Sequence, residues 1–552
     1  MNRHFWLAVG VSLGAMVTAS SGASAQALSG TVSSAQGGRM EGVLVSLKKE
    51  GSTIATTVVT NDKGEYSFPA DRIAPGRYVV TIRAAGYVLD GPKSVEIASG
   101  GKASADLKLD RARNITGTLS NAEWLISAPG SDNQKAFLTG CVSCHTLKRV
   151  FTNPHTADEF EQIFQRMGRY YPGSVPSQPQ LLVTGGTRSE RPRVAANQAK
   201  AAAEYISSVN LSNPDAKEYD FKTLPRPKGR STKVIITEYD LARKEAEPHD
   251  VVVDPDGNVW YSDFGSLFAG ELDPKTGKVT DYALPVVREE QPKGTLDIEL
   301  DPAGNLWISL MYQSGVAKID RKTKEITTYP FPKEWWGYNT QASMVSPQHS
   351  DVDGKVWTND QEPHDSYRLD VKTGQYENLG QSKDPGGRQI SAYGMPTDRQ
   401  NNLWQLEFGG ASIGLRDAKT GKVTIYRTPT QGSRPRRGRV DEQNRLWFAE
   451  YGSNAIGLFD PKTAEIKEYP LPTKWGDPYD VVPTKNAAEV WTGSMLNDLV
   501  ARLDTKTGEV TEYLLPRTTN IRRVFVEETG PRPVLWVGSN HGASIVRVEP
   551  LD

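Results

Sequence analysis

Seven tryptophans, at positions 260, 307, 357, 404, 447, 491 and 536, recur at spacings of 43 to 50 residues through the C-terminal part of this 552-residue chain. Most stand in one recurring setting. An Asp-led turn runs into Asn-x-(Leu/Val)-Trp, as in Asp254-Pro-Asp-Gly-Asn-Val-Trp260 and Asp301-Pro-Ala-Gly-Asn-Leu-Trp307. An Asp-x-Lys-Thr-Gly turn follows, as at Asp273–Gly277 and Asp504–Gly508, and then a Thr-x-Tyr strand. Short strands repeating at roughly 40–50 residues predict the blades of a β-propeller, because one such unit cannot bury its own faces and a ring of them can. The tryptophans then read as packing residues between blades. The last repeat lacks its Thr-x-Tyr strand. Val234-Ile-Ile-Thr-Glu-Tyr-Asp-Leu241, ahead of the first blade, has that pattern and matches Val510-Thr-Glu-Tyr-Leu-Leu515. It is therefore expected to complete the seventh blade and close a seven-bladed ring over residues 231–552, which leaves no exposed sheet edge.

A chain of this length carries more than one domain. Residues 26–112 alternate apolar and polar residues in short runs, Gly42–Leu47 and Arg77–Ile82 among them, parted by turn signals such as Asn61-Asp-Lys-Gly64, and so predict a small all-β unit. Residues 113–225 change to helical spacing. Phe160, Ile163, Phe164 and Met167 lie on one face behind a Thr156/Glu159 capping box, and Gln198–Val209 is Ala-rich. The fold class expected is mainly β and multidomain: a β-sandwich, a small α-helical domain and a seven-bladed propeller. Residues 1–25 read as a signal peptide, with Arg3 and His4 ahead of the apolar run Phe5–Ala19 and small residues at 23 and 25; an N-terminal anchor is the competing reading. Export places the protein in the periplasm, with no membrane span in the mature chain. The 65 basic and 66 acidic residues leave a net charge of −1, which gives no electrostatic ground for a nucleic-acid partner.

The chain has two cysteines, Cys141 and Cys144, followed at once by His145. An exported protein with a single close pair has no disulfide framework to build. C-x-x-C-H is instead the spacing at which two thiols add to the two vinyl groups of haem while the adjacent histidine ligates the iron. A redox dithiol or half a zinc site are the alternatives; neither needs the immediate histidine. Met167 is the candidate for the second axial ligand, with His155 and an open position as competitors.

Three resemblances attach to these regions. Thr60–Tyr87 resembles the carboxypeptidase regulatory-like family, which implies a structural or docking module without chemistry. The C-x-x-C-H region, with Ala136–Cys141 entering it and the Ala-rich segment closing it, resembles class I cytochrome c domains. The blade repeats, best preserved at Asn444–Gly457, resemble the streptogramin lyase (virginiamycin B lyase) family. That resemblance implies a seven-bladed propeller and metal-assisted elimination near the channel mouth, using His and Glu. Here Glu247-Pro-His249-Asp250 and Asp263 fit the family pattern in part, with Asp in place of Glu, and no partner histidine stands near Asn520–Arg523.

Glu247, His249 and Asp263, with His349 joining from another inner strand, are the expected propeller centre, able to take substrate or a divalent cation. The function expected is an oxidoreductase or electron-transfer protein with one covalent haem, its propeller binding a small-molecule substrate or a periplasmic redox partner. A lyase of the streptogramin type and a non-catalytic docking scaffold are the other two readings.

Overall fold

The computed structural model describes residues 26–36, 38–183, 194–216 and 218–552. The expected signal peptide lies outside the described residues, as does part of the Pro/Gly-rich loop after Tyr171.

Seven four-stranded antiparallel blades form the C-terminal unit. Six are built from consecutive strands, the first from Pro248–Val253 to Lys278–Ala283. The seventh takes three strands from the C-terminus, Ile521–Glu527, Val534–Ser539 and Ser544–Pro550, and its outermost strand, Val234–Asp240, from the start of the unit. The ring closes as the missing Thr-x-Tyr strand implied.

The repeat signature has a physical explanation. Asp254 Oδ1 accepts the backbone N–H groups of Asp256 and Asn258, at 2.9 and 3.0 Å, while Oδ2 accepts the Trp260 indole N–H at 2.9 Å. One carboxylate thus shapes the turn and orients the ring. Asp301 and Asp441 do the same for Trp307 and Trp447. All seven rings are buried and each packs into the following blade, Trp260 against Ile298, Leu306 and Ile308 for example. In the second turn Asp273 accepts from Lys275 N and Thr276 Oγ1, and the fifth position has positive φ: Gly277 at 72°, and even Lys324 at 64° and Ala464 at 59° where glycine is replaced.

The N-terminal sandwich is not a separate bead. Its strand Ile54–Val59 pairs antiparallel with Val234–Asp240, so one sheet of the sandwich continues the seventh blade into an eight-stranded sheet. The outer edge of that blade is thereby covered. Arg83 reinforces the junction by an ion pair of 2.6 Å with the buried Asp498 of blade six.

Between sandwich and propeller the chain forms five α-helices among the described residues, from Asn121–Ser127 to Ala196–Val209, with a 3₁₀ segment Ala136–Ser143 that carries Cys141. Ser120/Glu123, Ser131/Gln134 and Thr156/Glu159 close reciprocal capping boxes. The helical core around Trp124, Leu138, Phe151 and Ile206 is continuous with Tyr451, Tyr479, Met495 and Leu496 of the propeller. The helices therefore cap one mouth of the ring. No helix among the described residues is long and apolar enough to cross a membrane.

Candidate functional site at the capped mouth

In five blades the innermost strand begins with a shift of register, between Pro248 and Val251, Ala392 and Gly394, Pro435 and Gly438, Pro478 and Val481, and Ile521 and Val524. Such a bulge re-aims side chains. Residues of these strand starts enter the channel as a result, joined by Asp297 just ahead of the inner strand of blade two. The outer layer is His249, Tyr393, Arg436, Tyr479 and Arg522. The inner layer includes Asp250, Asp297, Arg437, Asp480 and Arg523, all buried.

The inner layer is a charge network. Arg437 spans Asp250, at 2.8 Å, and Asp297; Arg523 reaches Asp297 at 3.0 Å and Glu299 at 2.7 Å; Arg439 also holds Glu299, at 2.7 Å. Burial acts to raise the Asp250 carboxyl, but Arg437 and His249 outweigh it and hold it at about 2. Arginine cannot give up its proton in a protein, so the arginines of this layer are fixed charges, while burial raises the carboxyls of Asp297, Glu299 and Asp480, the last to about 6.

His249 links the layers. Its Nδ1 lies 2.5 Å from Asp250 Oδ1 and its Nε2 lies 3.2 Å from the Tyr479 hydroxyl, which in turn meets the Tyr393 hydroxyl. A carboxylate only accepts, so Nδ1 carries the proton and Nε2 accepts from Tyr479. Burial drives the His249 ring down to about 4 in spite of the adjacent carboxylate, and at neutral pH the imidazole is uncharged. Arg436 has four rings around its guanidinium, Tyr479 at 3.7 Å, Phe408 at 4.4 Å, Tyr451 at 4.7 Å and Tyr393 at 5.1 Å, an aromatic enclosure suited to a cation.

Glu247, His249 and Asp263 lie together in blade one, and His349 stands apart from them. Asp263 forms a 2.6 Å ion pair with Arg243 and accepts the N–H groups of Glu247 and Gly265. Glu247 is buried with neither carboxyl oxygen hydrogen-bonded; burial, with Asp263 nearby, lifts it well above the carboxylate range. His349 follows the inner strand of blade three, whereas Glu247 and His249 stand at the start of theirs and Asp263 pairs with Pro248 at that same end. His349 therefore lines the opposite mouth, in a cavity of about 380 Å³ with Glu299, Arg399 and Lys485, and bonds Thr397 Oγ1 at 3.0 Å. Among the described residues no group of three or more His, Cys, Asp or Glu is arranged to hold a metal ion. Of the expected cation centre, Asp263 is held by Arg243 and His249 by Asp250 and Tyr479, while the Glu247 carboxyl is buried beside Asp263 without a hydrogen bond.

The cap supplies the second half of the site. Tyr171 is a peg into the propeller. It is fully buried, and its hydroxyl donates to Phe264 O at 2.8 Å. A Cβ on Gly294 would stand 2.1 Å from that hydroxyl, so only glycine allows the peg to seat. Gln180 clips the same loop to Gly265 O and Lys293 O. Cys141, Cys144 and His145 edge a cleft of about 310 Å³, whose other walls include Val150, Phe160, Ile163, Phe164, Ile206, His155 and Met167. His145 Nδ1 donates to Thr146 O at 3.2 Å, which places the ring proton on Nδ1. His155 lies 3.8 Å from Glu159 at the rim. The donor set fits a covalently held haem: two half-buried thiols, an imidazole with one nitrogen already committed, a thioether, and an apolar wall.

Arg436, Arg437, Tyr479, Arg522 and Arg523 were not singled out by motif. A signal for them exists in the sequence. Pro-His-Asp, Pro-Arg-Arg, Pro-Tyr-Asp and Ile-Arg-Arg begin 12, 12, 13 and 15 residues ahead of their blade tryptophans, and lining up the repeats on these tripeptides exposes both layers.

Comparison with known proteins agrees with this architecture. The carboxypeptidase regulatory-like domain matches residues 27–110. No curated protein sequence matches the chain. A solved streptogramin B lyase superposes with a TM-score of 0.50 at 20% identity, over 58% of this chain and all of that one. Virginiamycin B lyase from Staphylococcus aureus gives 0.48 at 18% identity, over 57% of this chain and 99% of its own. At such identity the likeness speaks for the fold alone. The virginiamycin B lyase family itself matches residues 275–499 and 387–551, which together span just over half of the sequence, and with the seven closed blades described above this shows that the chain belongs to the virginiamycin B lyase family.

Proposed function

We propose that the protein is an exported c-type haem protein, an oxidoreductase or electron carrier, in which the helical cap is a cytochrome c domain seated on a substrate- or partner-binding propeller. The observation that carries this reading is the cleft bordered at once by Cys141, Cys144, His145 and Met167. The two thiols would hold the haem covalently, and His145, its ring fixed by the Nδ1 bond to Thr146 O, and Met167 would supply the iron ligands. Haem when bound supplies one-electron transfer. Phe160, Ile163, Phe164 and Ile206 keep water from the cleft, and Arg149 and Arg166 at its rim supply positive charge to anionic groups.

The elimination reading is less well supported by the same geometry. A catalytic base has to reach its substrate, and His249 is wholly buried between Asp250, Phe264 and Tyr479.

The test is expression of the full chain with haem-maturation factors. The mature protein is expected to begin near Gln26, to weigh one haem more than its polypeptide, and to lose attachment in Cys141→Ser/Cys144→Ser. Met167→Ala is expected to remove the near-infrared sulfur-to-iron band; an unchanged spectrum moves the ligand to His155 or to none. A wild-type chain without haem sinks the proposal, and substrate-dependent haem reduction separates an oxidoreductase from a lyase or scaffold.

A further inference from the structure

The C-x-x-C-H segment is gripped by the propeller at the two residues between its cysteines. Asn520 Nδ2 donates to Val142 O at 3.2 Å, and Arg522 Nη2 donates to Ser143 O at 3.0 Å. Arg522 Nε donates to Asn520 Oδ1 at 2.5 Å, which ties the two arms together. Both residues come from the bulged start of the inner strand of blade seven. That position brings the corresponding His249, Tyr393, Arg436 and Tyr479 into the channel of the other blades.

Arg522 is buried and among the described residues forms no ion pair, although its charge reaches the buried Glu247 carboxyl. Its guanidinium instead lies 5.5 Å from the Tyr479 ring and 5.8 Å from Phe264. Those rings are the two that enclose His249, at centroid distances of 5.5 and 4.7 Å. A buried cation without an ion pair among the described residues therefore stands between the C-x-x-C-H loop and the Tyr479–His249–Asp250 chain. A charge held in such low-polarity surroundings is felt strongly by its neighbours.

We propose that Arg522 is a positioning residue that sets both the seating of the haem-binding loop on the propeller and the reduction potential of the haem. The inference rests on the haem reading of Cys141, Cys144 and His145. A fixed positive charge favours the reduced iron, which carries one positive charge fewer. Loss of that charge lowers the potential. The Asn520 arm provides a second handle, because a carboxylate there would neutralise Arg522 without removing it.

The experiment is an optical redox titration of the full-length haem-loaded protein against its Arg522→Gln, Arg522→Lys and Asn520→Asp variants, with melting temperature recorded for each. Arg522→Gln is expected to bind haem and to shift the reduced-to-oxidised ratio at a fixed potential about tenfold toward oxidised, a fall of ~59 mV for a one-electron couple. Asn520→Asp is expected to fall in the same direction, and Arg522→Lys, which keeps the charge, to stay near wild type. If Arg522→Gln does not fold, Asn520→Asp decides. Haem attached with the wild-type potential in whichever charge-changing variant folds overturns the inference and leaves the haem reading intact. A wild-type chain that attaches no haem overturns both.

Discussion

His249 shows how much a single buried side chain can hold. Both ring nitrogens are engaged, by Asp250 and by Tyr479, and burial keeps the ring neutral with its pKa near 4. In the unfolded chain the same ring takes up a proton near pH 6.5. Between those values the unfolded state binds more protons, so stability is full above about pH 6.5 and drains away as pH falls toward 4. The expected loss between pH 7 and pH 4.5 is on the order of 2–3 kcal/mol from this residue. Denaturant midpoints of the wild type and of His249→Gln across that range measure it: the variant should show the flatter profile. Equal slopes would mean that the ring is not held neutral. Glu247 has the opposite sign. Its carboxyl is raised by burial and by Asp263, so its cost grows as pH rises.

At the scale of elements, the strand Val234–Asp240 has three duties. It completes blade seven against Ser544–Pro550, it carries Ile54–Val59 of the sandwich on its other edge, and it opens the propeller segment of the chain. A strand paired on both sides has no free edge at which proline can be tolerated. Thr237 pairs with Arg547 on one side and Thr56 on the other. Thr237→Pro is expected to cost about 3 kcal/mol or more and to lower the melting temperature while loosening the sandwich. A variant that melts with the wild type would show that the ring closes without this strand. The turn aspartates act locally by comparison, each shaping one turn and fixing one indole, as Asp254 does.

Over the whole molecule, cap and propeller share one core. Trp124, Leu138 and Ile206 belong to the same cluster as Tyr479, Met495 and Leu496, and Ala122 N donates to Leu496 O at 2.8 Å. Tyr171 and Gln180 pin a second point, on blades one and two. The helices are therefore expected to unfold with the blades they cover. Calorimetry combined with far-ultraviolet circular dichroism tests this: loss of the helical signal in an earlier, separate transition would refute it. The same shared core explains why the outer-layer ring of His249, Arg436, Tyr479 and Arg522 has so little exposed surface, and it gives those residues a direct mechanical link to the loop that bears Cys141 and Cys144.

Much of this was legible in the order of residues alone. Blade number, the closing strand, the helix behind Thr156 and the β character of residues 26–112 all follow from local patterns: period, turn chemistry and capping, each settled within a few dozen residues. The cysteine pair and His145 are likewise a local motif. What lay beyond reach were the meetings between distant segments. Glu247, His249, Asp263 and His349 are of the right types for a shared centre, but a bulge and the direction of each inner strand decide which mouth a side chain enters. That direction sends His349 to the far end while bringing Tyr479 to His249. Arg522 looks from the sequence like one more basic residue in a strand, yet ring closure carries it beside Ser143, hundreds of residues earlier. Local spacing determined the elements; tertiary structure alone decided which side chains face each other, because that depends on how seven separate strands converge on one axis and on where the cap comes to rest.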